Sequence, residues 1–249
     1  MKSLIVIKFG GSVVNDLHTR KKFIKEIAYV SQYSSIILVH GGGIEINKLL
    51  NTFVLKSKFV DGLRYTDKDT LSIVEMALSG KVNRDLTTEL IKHGIKAVGI
   101  SGKDGNSVIC SRITRLGCVG TPKKMNSDLI KILIINDFIP VIASLGNDSR
   151  GNVLNINADT LAAFIAVKFK AKKLIYLTDV NGVIDKTGKI INTLHCKNIN
   201  NLIKEQVIKE GMIPKVLSCV KSIKKGVEEV WIIGKQSGLL KIKGTVIKI

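Results

Sequence analysis

Residues 5–14, with the sequence IVIKFGGSVV, join a buried strand to a glycine turn. A single cation, Lys8, interrupts the apolar run just before Gly10 and Gly11. Alternate side chains of a strand share one face, so Lys8 lies on the face of Val6 at the strand's carboxyl end. Glycine lets the backbone approach a ligand closely, and successive N–H groups can point at an anion. The stretch therefore predicts an anion site, although a strand-end lysine before an ordinary turn fits the same residues.

The rest of the chain alternates short apolar runs with amphipathic stretches, which predicts βαβ units and a mainly parallel sheet. The predicted strands are 4–9, 36–39, 97–100, 139–143, 174–177 and 230–233. The predicted helices are 17–32, 44–53, 67–93, 125–136, 157–169, 198–209 and 213–226. Two segments with glycine turns, 107–121 and 146–156, predict inserted hairpins. Because open α/β sheets bind ligands at the carboxyl ends of their strands, the residues after each strand form the candidate site.

The composition indicates a globular protein rather than a disordered or membrane-spanning chain. Hydrophobic residues make up 45% and charged residues 24% of the 249 residues. No apolar run is long enough to cross a bilayer, and no cleavage signal follows the first apolar stretch. The four cysteines form no CxxC pair, which favours reduced thiols and argues against a zinc site. We therefore expect a cytoplasmic protein with no metal bound by its own side chains.

The formal net charge of +19 raises the question of nucleic-acid binding. Only six of the 39 basic residues are arginines, and aromatic residues make up 5% of the chain. Single-stranded nucleic acids are bound mainly by arginine and stacking aromatics, so this balance argues against that function. The abundant lysines are consistent with compositional bias of the genome or with a basic cleft that attracts anionic substrates.

Three glycines follow the second predicted strand in the motif HGGG, residues 40–43. A glycine turn that leads into a helix leaves free N–H groups at the positive end of the helix dipole, which suits a phosphate or a carboxylate. The motif is neither a Walker A loop nor a dinucleotide-binding fingerprint, and a simple tight turn is the alternative. We interpret His40 as a buried, hydrogen-bonded residue rather than a ligand.

Polar residues also follow the later strands. Arg64 lies in a glycine-containing loop and is suited to bidentate contact with a carboxylate, while Thr66 is a predicted N-cap. In NINAD, residues 155–159, Asn157 can cap the following helix, and the acid Asp159 could hold lysines in place. Lys215 follows a proline at a predicted helix start, where a cation costs about 0.3–1 kcal/mol unless an anion is present. These positions favour a phosphate ligand, although capping and surface exposure explain each of them singly.

Eight motifs in order resemble the amino-acid kinase superfamily, and most closely its acetylglutamate kinases. They are KFGGS, HGGG, GLRYTD, SGKDGN, NINAD, LTDVNGV, GMIPK and GTVI. The resemblance covers nearly the whole chain. It implies an open three-layer α/β/α sandwich with a mainly parallel central sheet, in a single domain of residues 1–249. Residues of about 1–170 would form the amino-acid-binding lobe and dimer face, and residues of about 171–249 the nucleotide-binding lobe.

The same resemblance implies roles for individual residues. Lys8 and Lys215, on opposite lobes, would stabilise the transferring phosphoryl group, and Asp159 would orient both lysines. The residues that would bind N-acetyl-L-glutamate are Gly42, Gly43, Arg64 and Asn155. The residues that would bind ATP are Gly10, Gly11, Asp179, Val180, Asn181, Gly182, Val183, Ile184, Val207, Ile208 and Lys209.

The implied reaction is ATP-dependent phosphorylation of the side-chain carboxylate of N-acetyl-L-glutamate, a step of arginine biosynthesis. Mg²⁺ would arrive with ATP, held mostly by phosphates and water. The resemblance also implies a homodimer with no nucleic-acid or membrane partner. Two positions depart from the family pattern: Ile44 stands where proline is common, and Glu210 stands where glycine is common.

Three other functions stay open at this stage. A sister kinase that acts on aminoadipate or glutamate attached to a carrier protein would suit a basic surface, although GLRYTD and GMIPK favour acetylglutamate. A non-catalytic, anion-binding member of the fold would not need Lys8, Asp159 and Lys215 together. Nucleic-acid binding rests on net charge alone.

Overall fold

The structure is a computed structural model that describes residues 2–208 and 212–249. Its strands are β1 Ser3–Phe9, β2 Ser34–His40, β3 Phe59–Val60, β4 Leu63–Arg64, β5 Ala97–Ser101, β6 Val108–Arg112, β7 Val119–Met125, β8 Ile139–Ala143, β9 Leu145–Asn147, β10 Val153–Ile156, β11 Lys173–Leu177, β12 Thr193–His195, β13 Glu229–Ile233 and β14 Gly244–Lys248. Its α-helices are α1 Gly11–Asn15, α2 Leu17–Val30, α3 Gly43–Thr52, α4 Lys68–Glu75, α5 Asn83–Lys92, α6 Asp128–Ile135, α7 Ala158–Lys168, α8 Ile199–Lys204 and α9 Ile213–Lys224. A π-helix, Met76–Val82, joins α4 to α5.

The chain forms two compact units, one of residues 1–36 with 162–249 and the other of residues 37–161. In the first unit the strands lie in the order β12, β14, β13, β11, β1. The pairs β1–β11, β11–β13 and β12–β14 are parallel, and β13–β14 is antiparallel. Apolar runs such as KLIYL in β11 are almost wholly buried, as is typical of strands in parallel sheets.

The second unit contains parallel pairs of β2 with β8 and of β8 with β5. All five residues of β8 are buried, which matches a strand covered on both faces. Strands β10, β7, β6 and β9 form a small closed barrel, and β3 pairs with β4 in a short hairpin. The strand ends His40 and Ala143 lie opposite each other, so the glycine turn after β2 begins at the edge of this sheet.

The structure confirms the predicted strands and most of the predicted helices, with ends that differ by a few residues. The predicted helix 67–93 is divided into α4, the π-helix and α5. The predicted helix 198–209 is shorter, since α8 ends at Lys204, and residue 209 lies outside the described residues. The predicted hairpins are the antiparallel pairs β6–β7 and β9–β10, but their closure into a barrel was not foreseen. Strands β12 and β14 were also missed. The predicted lobe boundary near residue 170 differs from the compact units, which group residues 1–36 with the C-terminal part of the chain. Among the described residues, the structure has no helix that is both long and apolar enough to cross a membrane.

One predicted helix cap is wrong. Asp67, not Thr66, caps α4, because the Asp67 carboxylate accepts a hydrogen bond of 2.8 Å from the Thr70 N–H. Thr66 is fully buried and is bound by the backbone of the neighbouring segment, where Cys118 donates to its carbonyl at 2.6 Å. Tertiary contacts thus give Thr66 a role inside the unit that local spacing could not indicate.

Helix α3 ends in a Schellman motif whose central residue is unfavourable. The N–H of Val54 donates to the carbonyl oxygen of Asn51 at 3.1 Å, and the N–H of Leu55 donates to the carbonyl oxygen of Leu50 at 2.8 Å. This pattern needs a left-handed residue at Val54, which has φ +57° and is 89% exposed. A β-branched residue rarely adopts that conformation. The strain is local, and it brings Leu55 onto the apolar cluster that contains Leu50.

We predict that Val54→Gly raises the free energy of unfolding by about 1 kcal/mol, since the left-handed conformation costs a non-glycine residue about 1–2 kcal/mol. Val54→Ala is the matched control, because it shortens the exposed side chain but keeps the Cβ atom that causes the strain. Urea denaturation of the three proteins measures the difference. A stability gain in the alanine variant as large as that in the glycine variant would contradict the strain at this position.

Candidate active site

Two lysines of the first unit belong to the group at the carboxyl ends of β1 and β11, one from β1 itself and one from helix α9. Lys8 is half-buried near the end of β1, where its register partner in β11 is Tyr176. Lys215 is half-buried in the first turn of α9 and donates a hydrogen bond of 3.1 Å to the hydroxyl of Thr178. Thr178 directly follows β11 and donates at 2.8 Å to the carboxylate of Asp179. Both lysines therefore belong to the same compact unit, although the sequence predicted them on opposite lobes.

The charges of this group favour an ionised acid beside two cations. The hydrogen bond from Thr178 is the main cause that lowers the pKa of the Asp179 carboxyl, and the positive charges of Lys215 and Lys8 lower it further. Asp179 thus partly offsets two lysines held at the strand ends. An arriving phosphate could compete for these cations, because it carries the same sign of charge as the carboxylate. Thr178 was not among the predicted residues, although its place directly after a strand is the signal that could have identified it.

Gly10 is required by a close backbone contact. Its N–H donates to the carbonyl of Leu177 at 2.9 Å, and a Cβ atom at this position would lie 2.5 Å from that oxygen. The expectation that the Gly10 N–H donates to a ligand is therefore corrected: this N–H is already bonded at the end of β11. The next residue, Gly11, begins the short helix α1. Gly10 therefore has a structural role, because it lets β1 and β11 end side by side.

A cavity of about 280 Å³ lies in the first unit beyond the end of β11. Its lining residues are Val180, Gly182, Val183, Ile184, Asp185, Lys186, Gln206, Val207, Ile208 and Met212. The structure thus brings together two predicted nucleotide-binding segments that are far apart in sequence. Four of the lining residues, Asp185, Lys186, Gln206 and Met212, were not among the predicted site residues. Lys209, predicted to bind ATP, lies outside the described residues.

The loop beside this cavity is held by polar contacts to β14 and to the end of β13. Thr245 accepts a hydrogen bond of 2.7 Å from the Val183 N–H. Gly182 has φ +143°, and a Cβ atom there would lie 2.7 Å from the Thr245 hydroxyl. Asn181 packs against Gly234, where an added Cβ atom would lie 2.0 Å from the Asn181 Oδ1 atom. Asn181 therefore supports the loop from outside the cavity lining.

In the second unit, the glycine turn after β2 is tightly packed on one side and open on the other. A Cβ atom at Gly42 would lie 2.8 Å from Leu78 and 3.1 Å from Val82, so any other residue would force these side chains to shift. A Cβ atom at Gly43 would have no neighbour within 4 Å. Gly43 is the first residue of α3, where backbone N–H groups lack partners within the helix. The turn is therefore closely packed at Gly42, while the first residue of α3 is accessible.

Arg64 is held at the end of the β3–β4 hairpin by three side chains. Its guanidinium donates to the hydroxyl of Ser57 and to Asn47 Oδ1 at 2.7 Å, and its carbon lies 4.8 Å from the centre of the Phe59 ring. Burial lowers the pKa of Arg64 from its ordinary value of 12.5, but the group stays charged at neutral pH. Asn47, Ser57 and Phe59 were not predicted, because their contribution depends on contacts that span up to 17 positions along the chain.

Thr66 links Arg64 to the other predicted substrate residue. Asn155 donates through Nδ2 to the Thr66 hydroxyl at 3.2 Å, and that hydroxyl donates to the carbonyl of Arg64 at 3.2 Å. Asn155 is itself fixed in β10, where its backbone N–H donates to the carbonyl oxygen of Cys118 at 2.9 Å. The structure thus brings Asn155 and Arg64 into one hydrogen-bonded group within the second unit.

Asp159 lies in the first turn of α7 and is half-buried. Asn157 caps this helix, because its Oδ1 atom accepts a hydrogen bond of 3.0 Å from the Thr160 N–H. The acid at the helix start is favoured by the dipole, as the sequence indicated. Its predicted role in orienting the lysines stays a prediction.

Comparison with known proteins assigns the chain to a family. The Amino acid kinase family matches residues 3–234. The chain is 58% identical to an acetylglutamate kinase of Endomicrobium trichonymphae over 248 residues, which cover 100% of both chains. It is 43% identical over 236 residues to an acetylglutamate kinase of Brachyspira hyodysenteriae, with 92% and 82% of the two chains covered.

Among solved structures, smu.665 from Streptococcus mutans UA159 superposes with a TM-score of 0.87 at 35% sequence identity, with 100% of this chain and 99% of that chain covered. This similarity extends along the whole fold, including the sheets of both units. The predicted fold class is therefore confirmed, and the chain belongs to the amino acid kinase family.

Proposed function

We infer that the protein is an acetylglutamate kinase, which transfers the γ-phosphoryl group of ATP to the side-chain carboxylate of N-acetyl-L-glutamate. The products are an acyl phosphate and ADP, and the reaction belongs to arginine biosynthesis. The observation that carries this inference is the full-length identity of 58% to a curated acetylglutamate kinase. The grouping of Lys8, Lys215, Thr178 and Asp179 at the strand ends of the first unit supports phosphoryl chemistry.

The reaction brings two anions together, so positioning and charge stabilisation supply most of the catalysis. The acceptor carboxylate is already ionised at neutral pH, so the reaction needs no general base. We propose that Lys8 and Lys215 donate to the transferring phosphoryl group, and that Asp159 orients them. Thr178 would hold Lys215 in position before the substrates arrive, because its hydroxyl accepts from the lysine at 3.1 Å.

We propose that the first unit binds ATP in the cavity lined by residues 180, 182–186, 206–208 and 212. Lys209, Asp179, Asn181, Gly10 and Gly11 are the other proposed nucleotide residues, with Gly10 acting through backbone shape rather than its N–H. Mg²⁺ would be carried by the nucleotide phosphates and water. This arrangement leaves the protein to supply lysine charge and a shaped cavity.

We propose that the second unit binds acetylglutamate. The N–H groups of the Gly42–Gly43 turn would donate to the reacting carboxylate, and the Arg64 guanidinium would pair with the other carboxylate of the substrate. Asn155, bonded to Thr66, would contact the acetylamino group. Because Arg64 is already held by Asn47 and Ser57, little side-chain entropy would be lost when the substrate binds. We further propose a cytoplasmic homodimer, as the family resemblance implies.

The proposed reaction is tested by trapping the acyl phosphate with hydroxylamine. We expect a hydroxamate that requires ATP, Mg²⁺ and N-acetyl-L-glutamate, with glutamate, aspartate and carbamate as comparison acceptors. Hydroxamate formed only with carrier-protein-bound glutamate or aminoadipate would replace the acetylglutamate assignment with the sister kinase. Ligand binding without turnover of any acceptor would indicate a non-catalytic member of the fold.

We predict that Lys8→Ala and Lys215→Ala each lower kcat roughly 10²–10³-fold, because each removes a donor to charge that develops in the transition state. Arg64→Ala should mainly raise KM for acetylglutamate, since it contacts a carboxylate remote from the transfer. Lys173→Ala is the matched control, because Lys173 begins β11 and pairs with Glu229 at the opposite end of the strand. Steady-state kinetics with normal kcat in both site-lysine variants would remove the proposed mechanism.

We predict that Gly43→Ala raises KM for acetylglutamate while the melting temperature stays unchanged or increases. The added methyl group would meet no protein atom within 4 Å and would occupy the open side of the turn. Alanine also has the higher helix propensity. Gly80→Ala is the control, because its Cβ atom likewise has no neighbour within 4 Å but lies in the exposed part of the π-helix. An unchanged KM in Gly43→Ala would place the acceptor elsewhere.

A further inference from the structure

A buried asparagine and a buried histidine lie beneath the glycine turn. Asn83 and His40 are each 0% exposed. Asn83 Nδ2 lies 3.0 Å from His40 Nε2, 3.2 Å from the carbonyl oxygen of Ile100 and 2.8 Å from that of Val141. None of these groups takes part in the proposed chemistry, and polar groups are costly to bury unless they are hydrogen-bonded. We therefore ask what these hydrogen bonds hold in place.

The two backbone carbonyls fix the orientation of the Asn83 amide. Carbonyl oxygens accept hydrogen bonds, so the amide must turn its NH₂ group toward Ile100 and Val141. The Oδ1 atom then faces Gly99, where an added Cβ atom would lie only 2.1 Å away, and it has no hydrogen-bond partner among the described residues. Reversing the amide would place this oxygen against the two carbonyls. The NH₂ group is therefore also the group that faces His40.

The oriented amide determines where His40 carries its proton. The amide nitrogen cannot accept a hydrogen bond, so His40 Nε2 is an acceptor that shares the two amide protons with the carbonyls of Ile100 and Val141, and the proton of the neutral ring lies on Nδ1. Nδ1 lies 2.9 Å from the carbonyl oxygen of Gly41, to which it donates. Burial lowers the pKa of His40 to about 4, so the ring is neutral at physiological pH. One chain of hydrogen bonds thus runs from β5 and β8, through Asn83 and His40, to the first glycine of the turn.

The π-helix places these groups under the turn. Its wider winding lets the Asn83 N–H donate to Leu78, five residues earlier. Leu78 and Val82, from the same segment, are the side chains that pack within about 3 Å of the Cβ position of Gly42. Asn83 follows immediately and reaches His40. The same segment therefore supports the turn by apolar contact at Gly42 and by a hydrogen-bond chain at Gly41.

We propose that Asn83 and His40 are positioning residues for the acceptor substrate, which hold the Gly41 carbonyl so that the N–H of Gly42, which shares its peptide plane, points toward the bound carboxylate. This inference rests on the proposed function, because that function makes the turn part of the acetylglutamate site. The Gly42 carbonyl already accepts a hydrogen bond of 2.9 Å from the Ile46 N–H, which fixes the peptide that carries the Gly43 N–H. The Gly41–Gly42 peptide could rotate without His40, so the anchor on the Gly41 carbonyl sets the direction of the Gly42 N–H. Neither residue touches the substrate itself.

The kinetic test uses variants that separate the two hydrogen bonds of His40. His40→Asn keeps a donor near the Nδ1 position and should retain the KM for acetylglutamate. His40→Gln keeps a polar group near the Nε2 position but loses the Gly41 contact, and it should raise this KM about 10–100-fold, as should Asn83→Ala. The KM for ATP should stay within about twofold in each variant, because the proposed nucleotide residues lie in the other compact unit.

Thr87→Ala is the matched control for lost stability. Thr87 lies one helical turn after Asn83, is also buried, and faces Gly99, where an added Cβ atom would lie 2.6 Å from its hydroxyl. The Thr87 hydroxyl has no hydrogen-bond partner among the described residues, so Thr87→Ala disturbs the packing of α5 on β5 without breaking the hydrogen-bond chain to Gly41. Urea denaturation compares the variants. An equal rise in the acetylglutamate KM for Thr87→Ala and Asn83→Ala at equal loss of stability would show that the network is only structural, and would overturn the proposal.

A spectroscopic test of the tautomer can be made on the wild-type protein. In the wild-type protein, ¹H–¹⁵N correlation spectra of the imidazole rings should show His40 as the neutral tautomer with its proton on Nδ1, and this signal should shift in Asn83→Ala. A proton on Nε2 would overturn the proposal even if the variants failed to fold. This outcome differs from a failure of the acetylglutamate assignment. In that case the wild-type enzyme would give no hydroxamate with acetylglutamate, while the tautomer of His40 could still be measured.

Discussion

The parallel pairing of β1 with β11 determines the arrangement of the charged groups in the first unit. The register sets Lys8 opposite Tyr176, so both strands reach their carboxyl ends together. Gly10 then closes the gap by donating to Leu177 at 2.9 Å, a contact that any Cβ atom would prevent. Thr178 and Asp179 follow directly and meet Lys215 from α9. A shift of one residue in this register would turn Lys8 to the other face of the sheet.

The concentration of cations at these strand ends needs compensation. Each half-buried lysine loses part of its hydration, and two like charges near each other repel. Asp179 supplies one negative charge, and the Thr178 hydroxyl both accepts from Lys215 and donates to Asp179. Two lysines and an acid held together at the strand ends suit a site through which phosphoryl groups pass.

The sequence predicts most of the fold because its strands are apolar runs bounded by glycine or polar residues. What it could not predict depends on contacts between distant residues. Thr66 is a residue type that often caps helices, but its backbone is hydrogen-bonded to Leu116 and Cys118. Asp67 caps the helix instead. Asn47 and Ser57 hold Arg64 only because a hairpin folds back on α3. The predicted continuous helix of residues 67–93 hides a π-helix, since residue composition carries no clear signal for that winding.

A glycine turn that binds an anion faces a general physical conflict, and the contacts around the turn after β2 would resolve it for the proposed acceptor. Glycine permits close approach and unusual backbone angles, but the same freedom lets its N–H groups point in many directions. A binding site gains affinity when that freedom is removed before the ligand arrives. Here Leu78 and Val82 restrict Gly42 by contact, whereas His40 restricts Gly41 through a directional hydrogen bond. A neutral histidine is suited to this position, because its two nitrogens can accept from Asn83 and donate to Gly41 without burying a charge.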